Sequence, residues 1–230
     1  MNRVCECCGQ RCENQRAHMG AHILCKMRRV QEELKKPVAD SLPCGFCGES
    51  GHAACNIYLQ VKSKLATIHT NCRLAMPVKY AWAERGSVAT PCRNVPVICG
   101  LCPSTLAAGN PSAAQPAQWR YNMEAHLATV HPEYASPQNP DAQQRLPHAV
   151  WTSMATTEAE ECAMGIPESK IPAPFARVAG PDEGIDEPSQ QLGVQRRATV
   201  RRAPGGAAPK RRKVNSGAAV PVASGSGLRN

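Results

Sequence analysis

Thirteen cysteines in a chain of 230 residues constrain this fold more than any other feature. An odd number of cysteines does not suit a framework made only of disulfides. The first residues, MNRVCECCGQ, contain no apolar secretory segment, so we expect an intracellular and reducing environment. In that environment closely spaced cysteines are expected to bind a metal ion rather than each other.

The composition argues against one large hydrophobic core. Aromatic residues make up 4% of the chain, which also contains 20 Pro and 17 Gly. Bulky aromatic side chains normally supply much of the buried area of a large core. We therefore predict small α+β modules stapled by zinc, followed by a largely disordered tail. No apolar run approaches the length of a membrane span, so no membrane partner is expected.

Changes in pattern along the chain predict five segments. These are a C2H2-like finger and helix at 1–43, a β-rich cysteine module at 44–98, a C2H2-like finger with a long spacer at 99–135, an acidic Pro-rich linker with one short helix at 136–195, and a disordered basic tail at 196–230.

Apolar spacing predicts the local structure of these segments. A helical face continues to Leu34, and Pro37 lies just beyond it as a stop signal. Short strands are predicted in CNIYLQVK, CRLAMPVKYAW and RNVPVIC. A further helix is predicted in QWRYNMEAHLATVH, ending before Pro132. The stretch WTSMATTEAEECAMGIP predicts one short helix with a Ser or Thr cap.

The third segment contains a complete set of zinc ligands. A Cys-x2-Cys pair on a tight turn and two histidines near a helix end can direct four donors to one point. The expected ligands are Cys99, Cys102, His126 and His131. The set resembles a C2H2 zinc finger. Its spacer has 23 residues, whereas about 12 are typical of the family.

The first segment contains a second, less regular set. Its expected ligands are Cys5, Cys8, His18 and His22. This set also resembles a C2H2 finger, with both histidines on the predicted helix. Two alternatives remain open at this point, because Cys12 could replace Cys5 and Cys25 could replace His18.

The second segment opens with CGFCG, a pattern that suits a zinc knuckle because Gly follows the second cysteine. The favoured ligand set is Cys44, Cys47, Cys72 and Cys92. The choice of Cys92 assumes that Cys72 and Cys92 brace the two ends of a β-hairpin. His69 and Cys55 remain alternatives for the fourth ligand.

The order of these motifs resembles a known group. CGFCG, CNIYL, PCRNVPVICGLCP and WRYNMEAHLATVHPEY together resemble uncharacterised multi-zinc-finger proteins of mushroom-forming fungi, over about residues 1–180. The resemblance implies the zinc ligands and little else.

Enzyme activity is not expected. A catalytic zinc usually has three protein ligands and an open position for water, whereas each set here offers four Cys or His ligands. The chain has no phosphate-binding Gly-rich loop, no His-Glu-x2-His motif and no deaminase signature. We therefore expect no small-molecule substrate.

The charge distribution separates the tail from the rest. Residues 196–230 carry nine Lys or Arg and no Asp or Glu, whereas residues 131–195 carry three basic and ten acidic residues. The tail contains a pattern typical of a bipartite nuclear localisation signal, and its residues are Arg196, Arg197, Lys210, Arg211, Arg212 and Lys213. We therefore expect a nuclear import receptor as a partner and the nucleus as the location.

The fingers and the basic charge together predict a nuclear protein that binds nucleic acid, with DNA as the expected partner and regulation of transcription as the expected role. The residues expected to contact it are Arg11, Asn14, Arg16, Arg120 and Asn122. Arg and Asn can pair with guanine and adenine, but the two fingers lack a tandem linker and some reading positions hold Trp or Ala. The alternative is a zinc-stapled protein-interaction module without sequence-specific DNA binding.

Overall fold

A computed structural model describes residues 3–63, 65–103 and 113–180. The predicted localisation signal between Arg196 and Lys213 lies outside these residues, as does the rest of the predicted tail. Among the described residues, no helix has the length and apolar character needed to cross a membrane.

The fold is small and α+β, with short helices and short sheets. The helices are α1 Gln15–Met27, α2 Tyr80–Arg85, α3 Met123–Val130, α4 His148–Met154 and α5 Glu158–Ala163. The strands are β1 Arg3–Val4, β2 Arg11–Cys12, β3 Tyr58–Lys62, β4 Leu65–His69, β5 Pro96–Val97, β6 Gln115–Pro116 and β7 Gln118–Trp119. Single 3-10 turns lie at Ala53–Cys55, Arg120–Asn122 and Glu168–Lys170.

The strands form three antiparallel sheets. β1 pairs with β2, β5 pairs with β7, and the third sheet has the order β4-β3-β6. The strand predicted within CNIYLQVK is confirmed as β3, where Leu59 is buried and Val61 is exposed. The strand predicted across CRLAMPVKYAW is wrong, because its last residues form α2, which packs against β4.

Helix α1 ends earlier than its apolar pattern predicts. Arg29 has a left-handed backbone with φ of 53°. The amide of Arg29 donates to the carbonyl of Lys26, and the amide of Val30 donates to the carbonyl of Cys25. These two bonds form a Schellman motif, which usually has Gly at the left-handed position. Because Arg29 stands in place of that Gly, the sequence gives no signal that the helix stops here. Leu34 lies outside the helix and still packs against the first core.

The stretch predicted as one helix after residue 150 forms two helices. α4 ends at Met154, and α5 begins after Thr157, whose side chain accepts a hydrogen bond from the amide of Glu160. The predicted Thr cap is therefore present at α5. Both helices pack on the metal-binding part of the chain.

Three hydrophobic cores hold the described residues together, and each contains at least one cysteine of a metal-binding set. The first core combines α1 with Cys92, Tyr121 and Ile166. The second joins β3 to Trp119, and the third joins α3 to α4. The cores thus mix residues from four of the predicted segments, and the boundaries predicted after residues 43, 98 and 135 lie within one compact unit.

Candidate metal centres

The N-terminal cluster consists of Cys5, Cys8, His18 and His22, the four residues predicted as ligands. Its cysteines lie on the turn between β1 and β2. The amide of Gly9 donates to the carbonyl of Cys5 over 2.8 Å, and the amide of Gln10 lies 3.5 Å from the Cys8 sulfur. Gly9 has φ of 79°, which a residue with a Cβ adopts at a cost.

Both histidines of this cluster lie on α1, one helical turn apart. Asn14 caps the helix by accepting a hydrogen bond from the amide of Ala17. The two imidazole Nε2 atoms are 3.2 Å apart, and Nδ1 of His22 lies 2.7 Å from the Glu32 carboxylate. A carboxylate on one ring nitrogen fixes the ring and leaves the other nitrogen for a metal.

The central cluster consists of Cys44, Cys47, Cys55 and Cys72. Its first turn repeats the hydrogen bonds of the N-terminal turn, because the amide of Gly48 donates to the carbonyl of Cys44 and the amide of Cys44 to that of Glu49. The same pair of bonds links Cys5 with residues 9 and 10. CECCG and CGFCG therefore fold alike, with their Cys-x2-Cys-Gly spacing as the common cause.

The fourth residue of the central cluster is Cys55, and the favoured prediction of Cys92 is wrong. Cys55 ends a 3-10 turn, and its sulfur lies 3.6 Å from that of Cys47. Cys92 is fully buried in the first core, with its sulfur 3.7 Å from Nη1 of Arg16 and 3.8 Å from the Tyr121 hydroxyl. The predicted hairpin does not exist, because the chain after Cys72 forms α2. His69, the other alternative, lies on β4 outside the cluster.

The third cluster consists of Cys99, Cys102, His126 and His131, all four as predicted. The Cys102 sulfur lies 3.3 Å from Nε2 of each histidine. His126 is in the middle of α3, whereas His131 is the residue at which the helix ends. The rings of His126 and His131, five residues apart, point to the same place because the chain leaves helical geometry at His131.

The measured separations fit a tetrahedral zinc ion. Donor atoms within each cluster lie within 4.8 Å of one another, and the close pairs are 3.2 to 3.6 Å apart. A tetrahedron with Zn–N of about 2.0 Å and Zn–S of about 2.3 Å has edges of about 3.3 to 3.8 Å. Each cluster is therefore positioned to chelate one metal ion, and its Cys and His donors suggest zinc.

The protonation states of the donors suit a cation. Burial, reinforced by the neighbouring histidine, lowers the pKa of His18 and of His126, which favours the neutral imidazole that binds metal. Burial and the nearby Cys99 raise the pKa of Cys102 to about 11. Without a cation the Cys102 thiol therefore keeps its proton, and a bound dication would favour the thiolate.

Replacing Cys55 and Cys92 separately should distinguish a ligand from a core thiol. We expect Cys55→Ala to lower the zinc content from three ions per chain to two or fewer. Cys92→Ala should keep all three ions, because its sulfur lies outside the clusters. Native mass spectrometry of both full-length variants makes the comparison. Loss of zinc from Cys92→Ala with full retention by Cys55→Ala would contradict the assignment.

Two matched glycines test how tightly the central turn is packed. A Cβ at Gly45 would lie 2.5 to 2.7 Å from Trp119 ring atoms, whereas a Cβ at Gly100, in CGLC, would meet only Val150 at 3.6 Å. Gly45→Ala should therefore lower the free energy of unfolding by about 1–3 kcal/mol. Gly100→Ala should change it by less than about 0.5 kcal/mol. Urea denaturation of both variants checks this, and equal effects would contradict it.

Three of the residues predicted to contact nucleic acid lie in the interior. Arg16 is 2% exposed and donates to the carbonyls of Cys92 and Asn94. Arg120 and Asn122 are 4% and 3% exposed and also donate to carbonyl groups of the chain. In these positions the three side chains do not reach outward, as a base-reading side chain has to do. Asn14 caps α1, and Arg11 is exposed.

Sequence reasoning did not assign Cys55, although a signal for it was present. Cys55 starts the alternating pattern that continues through Leu59, so the pattern itself pointed to a buried strand residue. The signal that Cys55 is a ligand was its position eight residues after Cys47, the second cysteine of the knuckle.

No protein-family model, curated protein or solved structure matches this chain. The resemblance to C2H2 and fungal multi-zinc-finger proteins therefore stays a prediction from the motifs.

Proposed function

We propose that this chain is a nuclear, zinc-stabilised module that binds other proteins, with its metal ions in structural roles. Each cluster offers four Cys or His ligands, which is the composition of structural rather than catalytic zinc sites. Each cluster also adjoins a hydrophobic core. Zinc in these positions would hold a scaffold in shape, and the exposed surface would carry the function.

The observation that carries this proposal is the burial of the side chains that would have to read DNA. Direct readout needs side chains that enter a groove and bond to base edges. Arg16, Arg120 and Asn122 instead satisfy carbonyl groups of their own chain. Removing them from those bonds would leave buried carbonyls without partners, at a cost of about 1–3 kcal/mol each.

The charge balance supports the same proposal. Residues 1–180 contain 18 Lys or Arg and 14 Asp or Glu, so the folded part offers a polyanion only a weak field. The most basic stretch is 196–230, in which we propose that Arg196, Arg197 and Lys210–Lys213 bind a nuclear import receptor. The tail would deliver the module, and the folded part would bind its partner.

Nucleic-acid binding is the second candidate function, favoured by the nine positive charges of 196–230 and by the exposed Arg11. Charge of this kind binds phosphates without sequence preference and weakens steeply with salt. As a function of the folded part, nucleic-acid binding would in addition have to survive loss of the tail charges and show a sequence preference.

Anisotropy with a labelled 30-base-pair DNA separates the two functions. The test uses the full chain and a full-length variant in which residues 210–213 are all changed to Gln. We expect weak binding to the full chain, with an affinity that falls more than tenfold between about 50 and 200 mM salt. The tail variant should lose this binding. Arg11→Ala should bind DNA with an affinity within twofold of the parent. Sequence-selective binding that survives the tail substitutions would overturn the proposal.

The same tail variant tests location. A fluorescent fusion of the parent chain should concentrate in the nucleus, and the variant should spread evenly between nucleus and cytoplasm. Nuclear accumulation of the variant would show that these four residues are not the import signal.

A further inference from the structure

Large apolar side chains are exposed on the three-stranded sheet and on α2. Leu65 on β4 is 69% exposed and Trp82 on α2 is 74% exposed. Tyr58 and Val61 on β3 are also exposed. Large exposed apolar groups that lie together mark binding surfaces more often than isolated ones do.

A groove of about 740 Å³ lies between β4 and α2. We call it the edge groove, and its lining includes Phe46, Leu65, Ala66, Ile68, Val78 and Trp82. Ala66, Ile68 and Val78 pack against the second core, so the groove is an opening of that core to solvent. Its lining is formed by ordered elements that the central cluster supports.

The main chain beside the groove is available for pairing. Within the described part of the chain, β4 pairs with β3 and lies at the edge of the sheet order β4-β3-β6. An edge strand presents unpaired amide and carbonyl groups that can accept a further strand. At about 3.4 Å per residue, the five residues of β4 offer about 17 Å of edge.

The charged residue in the lining of the groove is the cation Lys79. No ion pair of Lys79 occurs among the described residues. Lys62 pairs with Leu65 across the hairpin, and α2 ends with Glu84 and Arg85. Long cationic side chains around an apolar floor complement a segment that carries both apolar and acidic residues.

We propose that the edge groove binds an extended segment of a partner protein in which apolar and acidic residues alternate, added as a fourth strand beside β4. Alternate side chains of such a strand point to opposite faces, so apolar ones enter the groove beside Trp82 while acidic ones meet Lys62 or Lys79. The inference rests on the proposed protein-binding function and specifies its site and its partner class.

The test is selection of random ten-residue peptides, displayed on phage, against the immobilised full-length chain loaded with zinc. We expect enrichment of peptides in which Val, Ile, Leu or Phe alternate with Asp or Glu. Fluorescein-labelled copies of the enriched peptides should bind at least tenfold more weakly to Trp82→Ala and to Lys79→Glu. Val88→Ala is the matched control, because Val88 is fully exposed but does not line the groove, and it should bind within twofold of the parent.

The charge contact has its own check. A peptide with its acidic residues changed to Lys should bind Lys79→Glu more tightly than it binds the parent chain. All three variants should keep three zinc ions, because the substituted side chains are exposed.

Other results would overturn the inference. If enriched peptides still bind Trp82→Ala and Lys79→Glu, the protein-binding function is supported but its site is not the edge groove. Dimerisation by sedimentation that is lost in Leu65→Glu would make a second copy the occupant. Binding of a single-stranded oligonucleotide that is lost in Trp82→Ala would identify the occupant of the edge groove as nucleic acid. No enrichment at all would count against both the groove and the proposed function.

Discussion

Removal of zinc is expected to abolish the cooperative unfolding transition of this chain. Each structural zinc site contributes roughly 10–16 kcal/mol of apparent binding free energy near pH 7. A domain of this size has a net stability of only about 5–15 kcal/mol. Loss of even one such ion would therefore cost about as much free energy as the net stability of the whole domain.

The make-up of the cores explains why the fold is expected to need this stability. Its second core depends on Phe46 and Trp119, whose rings meet edge to face at 5.0 Å, and on few other large side chains. Cys44, Cys47 and Cys72 are buried in the same core beside Ile57 and Leu59. Without a metal, four sulfurs would face one another where a larger protein would bury hydrocarbon.

The measurement is thermal unfolding followed by near-ultraviolet circular dichroism, before and after addition of a strong chelator. Native mass spectrometry in parallel should count three zinc ions before chelation and none after. Adding zinc back should restore the transition. A transition that keeps its midpoint within about 5 °C after complete zinc loss would contradict the structural role.

The second large effect is expected from Glu161→Gln. Arg28 forms a two-bond ion pair with Glu161 at 2.7 and 2.9 Å, and the two side chains are only 8% and 2% exposed. Removing one partner leaves a buried charge uncompensated, which costs about 3–5 kcal/mol. Glu124 lies 3.8 Å from Arg28 and can offset part of that cost.

Glu158→Gln is the matched control, because Glu158 lies on the same helix and is exposed. It should change the free energy of unfolding by less than about 0.5 kcal/mol. Chemical denaturation of zinc-loaded parent, Glu158→Gln and Glu161→Gln gives the comparison. A similar small effect for both variants would mean that α5 adds little to the fold.

The metal clusters could be predicted mainly where all four ligands follow from local spacing. Cys5 to His22 and Cys99 to His131 each combine a turn with a helix, and both parts have sequence signatures. The central cluster needed a choice among Cys55, His69 and Cys92, all at plausible separations. That choice depended on whether the chain after Cys72 returns as a strand, and it forms α2 instead.

The roles of the charged residues could not be predicted from the sequence. Arg16 and Arg120 look like solvent-facing basic residues of two fingers, yet both bond to carbonyl groups contributed by distant stretches. The acidic run around Glu160 looks like linker, yet its carboxylate accepts hydrogen bonds from the Tyr121 hydroxyl and the Arg93 amide. Burial of this kind depends on long-range packing, which composition and periodicity do not encode.

The mixing of distant residues in the first core bears on how the chain is made in the cell. All four residues of the N-terminal cluster lie within the 18 residues from Cys5 to His22, so they leave the ribosome close together and zinc can bind there early. The core beneath it is complete only when Cys92, Tyr121 and Ile166 have emerged. Until they emerge, this metal site therefore has to persist on a nascent chain whose hydrophobic support has not yet left the ribosome.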